Sequence, residues 1–229
     1  MKIGLIITAG GIGKRFGYEL PKQFVLLKGK PLLLHTMGNL LKTRSFNNII
    51  ITYPKGWEKT FFEIIEKSPF PKNIEFVEGG KERFLSVWNA LQHPLIKSTD
   101  IVLIHDAVRP FVTSALIERL LTQILNFDGV IPAIKVKDTL KELDEAGLVL
   151  QTLNRNKIVA VQTPQAFKTR ILLDAYHKAI HNGVVFTDDA GVAEYFGFKI
   201  KIIEGDEINI KITTPLDLAF AEFLLEKLL

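Results

Sequence analysis

Cysteine is absent from the 229 residues of the chain. Its absence excludes disulfides, thiolate zinc sites, iron–sulfur clusters and a cysteine nucleophile. No apolar run approaches the roughly 18 residues that a membrane-spanning helix needs. Met1 leads directly into an apolar stretch, so we expect no signal or transit peptide. We therefore expect a soluble, cytoplasmic, globular protein.

The net charge of the chain is low, and one long stretch lacks acidic residues. The net charge is only +4 and comes from single lysines spread along the chain, whereas nucleic-acid binding usually requires a dense basic face with aromatic platforms. Nucleic acid is therefore not an expected partner. Residues 20–57 contain no Asp or Glu at all, although they include several lysines. This stretch favours an anionic ligand.

A glycine-rich segment lies just before this stretch and leads into it. The apolar run Lys2-Ile3-Gly4-Leu5-Ile6-Ile7 predicts a strand buried on both faces, and it is followed by Thr8-Ala9-Gly10-Gly11-Ile12-Gly13-Lys14-Arg15-Phe16 and Leu20-Pro21-Lys22-Gln23-Phe24. Glycines let backbone N–H groups approach an anion closely, and the cations neutralise the remaining charge. The pattern predicts a polyphosphate-binding loop, although an ordinary glycine-rich turn with solvated cations remains an alternative.

Two common nucleotide motifs do not fit this segment. In a Walker A loop, Gly-Lys is followed by Ser or Thr, but here Arg15 follows Lys14. A dinucleotide-binding fingerprint needs a third glycine where Phe16 stands, and an acidic residue about 20 residues further on, where none occurs. A phosphate-binding loop at this place would therefore be of another type.

Apolar strand patterns alternate with amphipathic helix patterns along the chain. This predicts an α/β fold, a doubly wound, mostly parallel, Rossmann-like sheet in a single domain spanning 1–229. Residues 135–157 differ, because two polar extended segments flank the turn Asp144-Glu145-Ala146-Gly147 and predict a projecting β-hairpin, here called the arm. Near the end of the chain, Thr187 is predicted to cap a helix that reaches Phe196. The remaining predictions are strands at 48–53, 74–77, 101–104, 129–134 and 199–203, an extended segment at 24–27, and helices at 31–41, 57–67, 82–93, 115–125, 168–181 and 215–227.

His105 and Asp106 follow the predicted strand 101–104. Ligands of open α/β sheets bind at the carboxyl ends of strands, and a lone carboxylate there suits Mg²⁺ together with phosphates and waters. The alternative for Asp106 is a buried salt bridge to Arg109. His105 is expected to be a packed, hydrogen-bonded histidine rather than a base.

Five motifs together carry a family resemblance. They are the glycine loop with Pro21-Lys22-Gln23-Phe24, His105-Asp106-Ala107-Val108-Arg109-Pro110, Thr163-Pro164-Gln165, Thr187-Asp188-Asp189 and Asn209-Ile210-Lys211-Ile212-Thr213. The loop resembles that of nucleotidyltransferases, and the Pro-Lys-Gln-Phe segment that of their cytidylyltransferase branch. In order and spacing, the five motifs resemble the 2-C-methyl-D-erythritol 4-phosphate cytidylyltransferases over essentially the whole chain.

The resemblance implies a reaction and a set of site residues. A phosphate oxygen of the polyol phosphate would attack the α-phosphorus of CTP and expel pyrophosphate, with Mg²⁺ at Asp106. Arg15 and Lys22 match the pair that stabilises charge on the α-phosphate, and Arg155 and Lys211 are the other expected catalytic residues. Arg109 matches a contact to the substrate phosphate, and Thr139 and Thr163 also belong to the substrate pocket. The expected nucleotide-binding residues are Thr8, Ala9, Gly10, Gly11, Gly13, Lys14, Gly80, Lys81 and Ser86.

The resemblance also implies a homodimer with shared active sites, in which the arm hands Thr139 and Arg155 to the partner's substrate. Two positions depart from the family pattern, since Thr8 replaces the usual Ala and Lys81 replaces an acidic or small polar residue. The latter leaves any ribose contact of the Lys81 side chain open. Two other interpretations remain, a ribitol-5-phosphate cytidylyltransferase and a sugar-nucleotide-binding protein without catalytic activity.

Overall fold

The computed structural model describes residues 1–11, 20–68 and 74–228. Within these ranges, the strands are β1 (Ile3–Thr8), β2 (Leu26–Leu27), β3 (Lys30–Pro31), β4 (Asn48–Tyr53), β5 (Ile74–Glu78), β6 (Ile101–Asp106), β7 (Gly129–Lys135), β8 (Lys141–Leu143), β9 (Val149–Thr152), β10 (Val159–Val161), β11 (Gln165–Lys168) and β12 (Ile200–Glu204). Eight of them form one sheet in the order β10-β7-β11-β6-β1-β4-β5, with β12 also paired to β7. The helices are α1 (Leu32–Thr43), α2 (Glu58–Glu66), α3 (Arg83–Leu91), α4 (Pro94–Lys97), α5 (Ser114–Gln123), α6 (Thr169–His181), α7 (Asp189–Tyr195) and α8 (Pro215–Leu228).

The central strands are buried on both faces, as their apolar runs predict. In β1, Leu5 and Ile7 belong to one hydrophobic cluster and Ile6 to another, because successive side chains of a strand point to opposite faces. The first cluster includes residues of α1, α2 and α5, and the second includes residues of α3, α6 and α7. The prediction of a doubly wound sheet is therefore confirmed.

The strand order reverses at β1. From β1 the chain continues outward through β4 and β5, and it then returns to place β6 on the other side of β1, with all these pairs parallel. Ligands of open α/β sheets bind in the crevice at such a switch point. Thr8 and Asp106, the last residues of β1 and β6, are register partners at this edge.

Several local predictions need correction. The predicted extended segment at 24–27 is partly a 3₁₀ turn, Lys22–Phe24, and only Leu26–Leu27 is a strand. Pro31 precedes α1 rather than opening it. The cap of α7 is Asp188, not Thr187, because the carboxylate of Asp188 accepts a hydrogen bond from the Gly191 N–H at 2.9 Å. These errors concern boundaries, where local hydrogen bonds decide the outcome.

Two strands run against the parallel direction of the sheet. β11 pairs antiparallel with both β6 and β7, and β10 pairs antiparallel with β7. β8 and β9 form a separate two-stranded sheet in the arm, as predicted. The arm carries apolar side chains that are each more than half exposed: Leu143, Leu148, Val149 and Leu150.

Candidate active site

A cavity of about 480 Å³ lies at the switch point, at the carboxyl ends of β1 and β6. Its cations are Lys22, Arg83 and Lys211, and its carboxylates are Glu82 and Asp106. Positive charge therefore exceeds negative charge in the described wall, which suits a polyanionic ligand. Of the site residues predicted from the sequence, the cavity is lined by Thr8, Ala9, Gly10, Gly11, Lys22, Ser86, Asp106 and Lys211.

The glycine loop packs tightly against the turn after β5. A Cβ on Gly10 would lie 2.8 Å from Cα of Gly79 and 2.8 Å from Oγ of Ser86, so a side chain there would collide with backbone. Ser86 Oγ accepts the N–H of Gly80 at 3.0 Å and donates to the carbonyl of Glu82 at 3.1 Å. These bonds hold the turn in place. Glycine at position 10 is thus required by packing, and it leaves the backbone open towards the cavity.

Gln23 is a site residue that received no role in the sequence analysis. Its side chain is only 2% exposed, and its Nε2 donates to the carbonyls of Ala9 at 2.6 Å and Gly11 at 3.0 Å. The amide group therefore ties the glycine loop to the segment that carries Lys22. Its place beside Lys22 in the Pro-Lys-Gln-Phe motif was the available signal.

Asp106 is the centre of an ionic cluster. Its Oδ1 accepts from Arg83 Nε at 2.9 Å, and its Oδ2 lies 2.7 Å from Lys211 Nζ and 3.6 Å from Arg109 Nε. Burial by itself would raise the pKa of Asp106, but the positive charges of Arg83, Lys211 and Arg109 outweigh that effect and hold the pKa well below its ordinary value. The carboxylate is therefore ionised and arranges three cations at the edge of the sheet.

His105 is a buried structural residue, as expected. The Asp106 N–H donates to Thr163 Oγ1 at 3.1 Å, which leaves the Thr163 hydroxyl hydrogen for His105 Nδ1, also at 3.1 Å. His105 Nε2 then donates to the carbonyl of Arg109 at 3.0 Å. A neutral ring fits this arrangement of donors and acceptors, and burial lowers the pKa of His105 to about 4.

Arg109 and Thr163 are connected to the same cluster through Asn209. Arg109 Nη1 donates to the carbonyl of Asn209 at 2.7 Å, and Asn209 Nδ2 donates to the carbonyl of Thr163 at 2.8 Å. All three residues are buried. The motifs around Asp106, Thr163 and Lys211 therefore meet in one hydrogen-bonded unit, although Arg109 and Thr163 do not line the cavity itself.

Other predicted site residues lie elsewhere. Gly80 belongs to the turn behind the cavity, and Lys81 is exposed. Thr139 and Arg155 are exposed on the arm. Arg155 Nη1 donates to the carbonyl of Lys137 at 2.8 Å, and the Arg155 residue lines a separate cavity of about 680 Å³. Three predicted residues lie outside the described ranges: Gly13, Lys14 and Arg15.

The surroundings of Asp106 do not suit a metal ion held by side chains alone. Both of its oxygens already contact cations, and three positive groups surround the carboxylate. No group of three or more His, Cys, Asp or Glu side chains suited to a metal occurs within 1–11, 20–68 and 74–228. A divalent ion here would need most of its ligands from phosphate oxygens and water, which is how Mg²⁺ is commonly bound. The buried salt bridge to Arg109, one of our two interpretations of Asp106, is present.

Comparisons with known proteins place these motifs in one family. The family model for 2-C-methyl-D-erythritol 4-phosphate cytidylyltransferase matches residues 3–227. A protein of that name from Clostridium botulinum is 42% identical over 229 residues, covering 98% of this chain and all of the relative, and one from Bacillus mycoides is 40% identical, covering 96% of each. The crystal structure of a 4-diphosphocytidyl-2C-methyl-D-erythritol synthase from Anaerococcus prevotii superposes with a TM-score of 0.84 at 33% identity, covering 98% of this chain and 96% of that one. Within the described ranges, no helix is long and apolar enough to cross a bilayer. The chain belongs to the 2-C-methyl-D-erythritol 4-phosphate cytidylyltransferase family, whose members are nucleotidyltransferases.

Proposed function

We propose that this chain transfers the cytidylyl group of CTP to 2-C-methyl-D-erythritol 4-phosphate, giving 4-diphosphocytidyl-2-C-methyl-D-erythritol and pyrophosphate. Relatives with this activity in their names match nearly the full chain, and they favour it over a ribitol phosphate acceptor or a protein without catalytic activity. The observation that carries the proposal is the cationic cavity between the glycine loop and the Asp106 cluster.

In the proposed reaction an oxygen of the acceptor phosphate attacks the α-phosphorus of CTP. A new phosphorus–oxygen bond forms while the bond to the leaving pyrophosphate breaks. The acceptor phosphate is ionised at neutral pH and needs no general base, in keeping with a neutral, buried His105. Catalysis then consists of in-line positioning and charge neutralisation. Lys22, near the start of the chain, and Lys211, near its end, both line the cavity. We assign Lys22 and Arg15 to the α-phosphate.

We further propose that Mg²⁺ takes part as a complex with the CTP phosphates. When bound, the ion would neutralise charge on the phosphate oxygens. Asp106 is the carboxylate of the described wall that contacts Arg109 and Lys211. A direct bond from Asp106 to the metal stays a prediction, as does a cytoplasmic location.

Chelation tests the need for a metal ion. EDTA should abolish turnover and excess Mg²⁺ should restore it. Full turnover in EDTA would show that the lysines and arginines neutralise the phosphate charge without a metal.

The proposed functional unit is a homodimer with shared sites. The chain's own Thr139 and Arg155 are not among the residues that line the cavity, and the arm exposes Leu148 and Leu150. An isolated two-stranded hairpin is marginally stable in water, which favours packing against another surface. A twofold arrangement would bring Arg155 of one copy to the cavity of the other.

The direct test is pyrophosphate release from CTP with each of two acceptors supplied separately. We expect rapid release with 2-C-methyl-D-erythritol 4-phosphate and little with ribitol 5-phosphate. A matched reaction with ATP in place of CTP controls for nucleotide specificity. Release only with ribitol 5-phosphate would support the other acceptor, and tight CTP binding without release from either would support the non-catalytic interpretation.

A further inference from the structure

A buried polar chain leads from Asp106 away from the cavity into the core. Arg83 donates through Nε to Asp106 Oδ1 at 2.9 Å and through Nη2 to Asp189 Oδ2 at 2.8 Å. The Tyr176 hydroxyl donates to Asp189 Oδ1 at 2.6 Å. Asp189 and Tyr176 are both fully buried. None of these three residues had a role predicted from the sequence, although Asp189 belongs to one of the five motifs.

Aromatic packing fixes the far end of this chain. The Tyr176 ring stacks on Phe84, with centroids 4.8 Å apart and planes at 16°, and lies parallel to Trp88 at 6.4 Å. Phe84 is the residue after Arg83, so the start of α3 presents the guanidinium to the carboxylates and the ring to the tyrosine. The orientation of the Tyr176 hydroxyl is therefore coupled to the position of Arg83.

Asp189 is held at the first turn of α7 by its neighbours. Asp188 caps the helix, and its other oxygen accepts from Gln165 Nε2 at 2.9 Å. Gln165 Oε1 in turn accepts the N–H of Ala190 at 3.1 Å. Because the backbone around Asp189 is fixed in this way, its carboxylate is a rigid counterion for Arg83.

The Arg83 guanidinium is held between the carboxylates of Asp106 and Asp189, and removing either contact would leave one of its N–H donors unpaired. Arg83 occupies Oδ1 of Asp106, which leaves Oδ2 for Lys211. A guanidinium that rotated away would allow the carboxylate to turn and Lys211 to follow it. Precise placement of cations decides how well they meet transition-state charge.

We propose that Asp189 and Tyr176 are positioning residues that act through Arg83 to hold Asp106, and with it Lys211, in the orientation used for phosphoryl chemistry. This inference rests on the proposed function for its kinetic consequence. The orientation of Arg83 itself does not depend on which substrate the protein uses. It can therefore be measured independently of turnover.

The first measurement is the proton-exchange rate of the Arg83 Nε–H by NMR, assigned by its loss in Arg83→Lys. In the wild-type protein it should exchange at least about 100-fold more slowly than that of Arg170, an exposed arginine on α6, because it belongs to a partly buried side chain and donates to the buried carboxylate of Asp106. Tyr176→Phe should speed its exchange about tenfold or more, since the hydroxyl alone is removed. Equal exchange rates for Arg83 and Arg170 in the wild-type protein would overturn the proposal without any further variant.

The second measurement is kinetic. Tyr176→Phe should lower kcat about 5- to 20-fold and raise KM for the polyol phosphate, while KM for CTP stays within about twofold. Asp189→Asn, which keeps the shape but removes the charge, should have a larger effect in the same direction. Tyr195→Phe, at an exposed tyrosine, controls for the chemical change.

Loss of stability must be separated from loss of positioning. Ala179→Gly alters the same helix and the same buried cluster as Tyr176 but contacts neither carboxylate in the described structure, and it should lower the melting temperature without changing kcat. If Tyr176→Phe behaves like Ala179→Gly, with normal kcat and normal Arg83 exchange, the two residues only support the fold and the proposal is wrong. If the wild-type protein turns over neither polyol phosphate, the proposed function fails, while the exchange data still decide the positioning.

Discussion

At the residue scale, Asp106 shows how one carboxylate can organise several cations. It lies at the end of β6 with its side chain 6% exposed, and it contacts Arg83, Arg109 and Lys211. Breaking a buried ionic cluster by removing one partner is strongly destabilising, because the remaining charges lose their compensation. The cluster therefore links the stability of the site to its chemistry.

Lys22→Ala should lower kcat by about 10²- to 10³-fold with a smaller rise in KM for CTP, because its charge matters most as negative charge develops in the transition state. Steady-state kinetics on the purified variant measure both constants. Lys42→Ala, at an exposed lysine of α1, is the matched control and should be silent. A raised KM with unchanged kcat would mean that Lys22 only binds ground-state phosphate.

His105 should make the protein less stable in mild acid. Its pKa is about 4 in the folded state against 6.5 for the unfolded chain, so between these values the unfolded state binds an extra proton. The free energy of unfolding should therefore fall as the pH drops from 6.5 towards 4, by up to about 3 kcal/mol, and should not depend on this group above 6.5.

Urea denaturation from pH 7.5 to 4.5 measures this dependence. His105→Gln should flatten it, whereas His181→Gln, at an exposed histidine, should leave it unchanged. A wild-type pH slope that His105→Gln does not alter would show that the pKa of His105 is the same in the folded and unfolded states.

At the element scale, the glycine loop and the 3₁₀ turn act as one unit because of Gln23. The buried strands, the arm hairpin and the position of Asp106 at the end of a strand were predicted correctly, since periodic apolar runs and turn residues are local signals. Phosphate binding by the glycine loop stays a prediction. The roles of Gln23, Arg83 and Tyr176 were not predicted, because their partners are distant in sequence; Arg83 and Asp189 are 106 residues apart. The antiparallel direction of β10 and β11 was also not predicted, because short apolar runs do not reveal the direction of a strand.

Gln23→Glu should loosen the glycine loop. The variant replaces an amide that donates to two carbonyls by a carboxylate facing them, at a cost of about 2–3 kcal/mol in folding stability. KM for CTP should rise at least severalfold, as measured by steady-state kinetics, with thermal unfolding followed in parallel. Gln92→Glu adds the same charge at a side chain that accepts a hydrogen bond from Lys97 Nζ, so the ammonium compensates the new carboxylate. This control should change neither stability nor KM appreciably. Unchanged stability and unchanged KM in Gln23→Glu would refute the role of the amide.

At the scale of the whole molecule, the arm separates two groups of residues that the proposed reaction needs together. Lys22, Asp106 and Lys211 meet at the switch point, while Arg155 lies on the arm beside Lys137. A second copy can supply the missing group if the arms exchange. The proposed dimer would thus complete the proposed site and cover the apolar side chains of the arm.

Mixing the inactive variants Lys22→Ala and Arg155→Ala should restore activity. In an equimolar mixture with free subunit exchange, half of the dimers are mixed, and each contains one intact site and one with both lesions. The mixture should therefore regain about one quarter of wild-type turnover. Exchange is verified by native mass spectrometry with one variant isotopically labelled. If mixed dimers form and the mixture stays inactive, Arg155 serves its own subunit.

The most direct measurement of the central claim is a competition between the two acceptors. The wild-type protein is incubated with CTP, Mg²⁺ and equal concentrations of 2-C-methyl-D-erythritol 4-phosphate and ribitol 5-phosphate, and the cytidine-containing products are identified by mass spectrometry. We expect 4-diphosphocytidyl-2-C-methyl-D-erythritol to accumulate in step with pyrophosphate. A product carrying ribitol, or unchanged CTP after prolonged incubation, would refute the proposed activity.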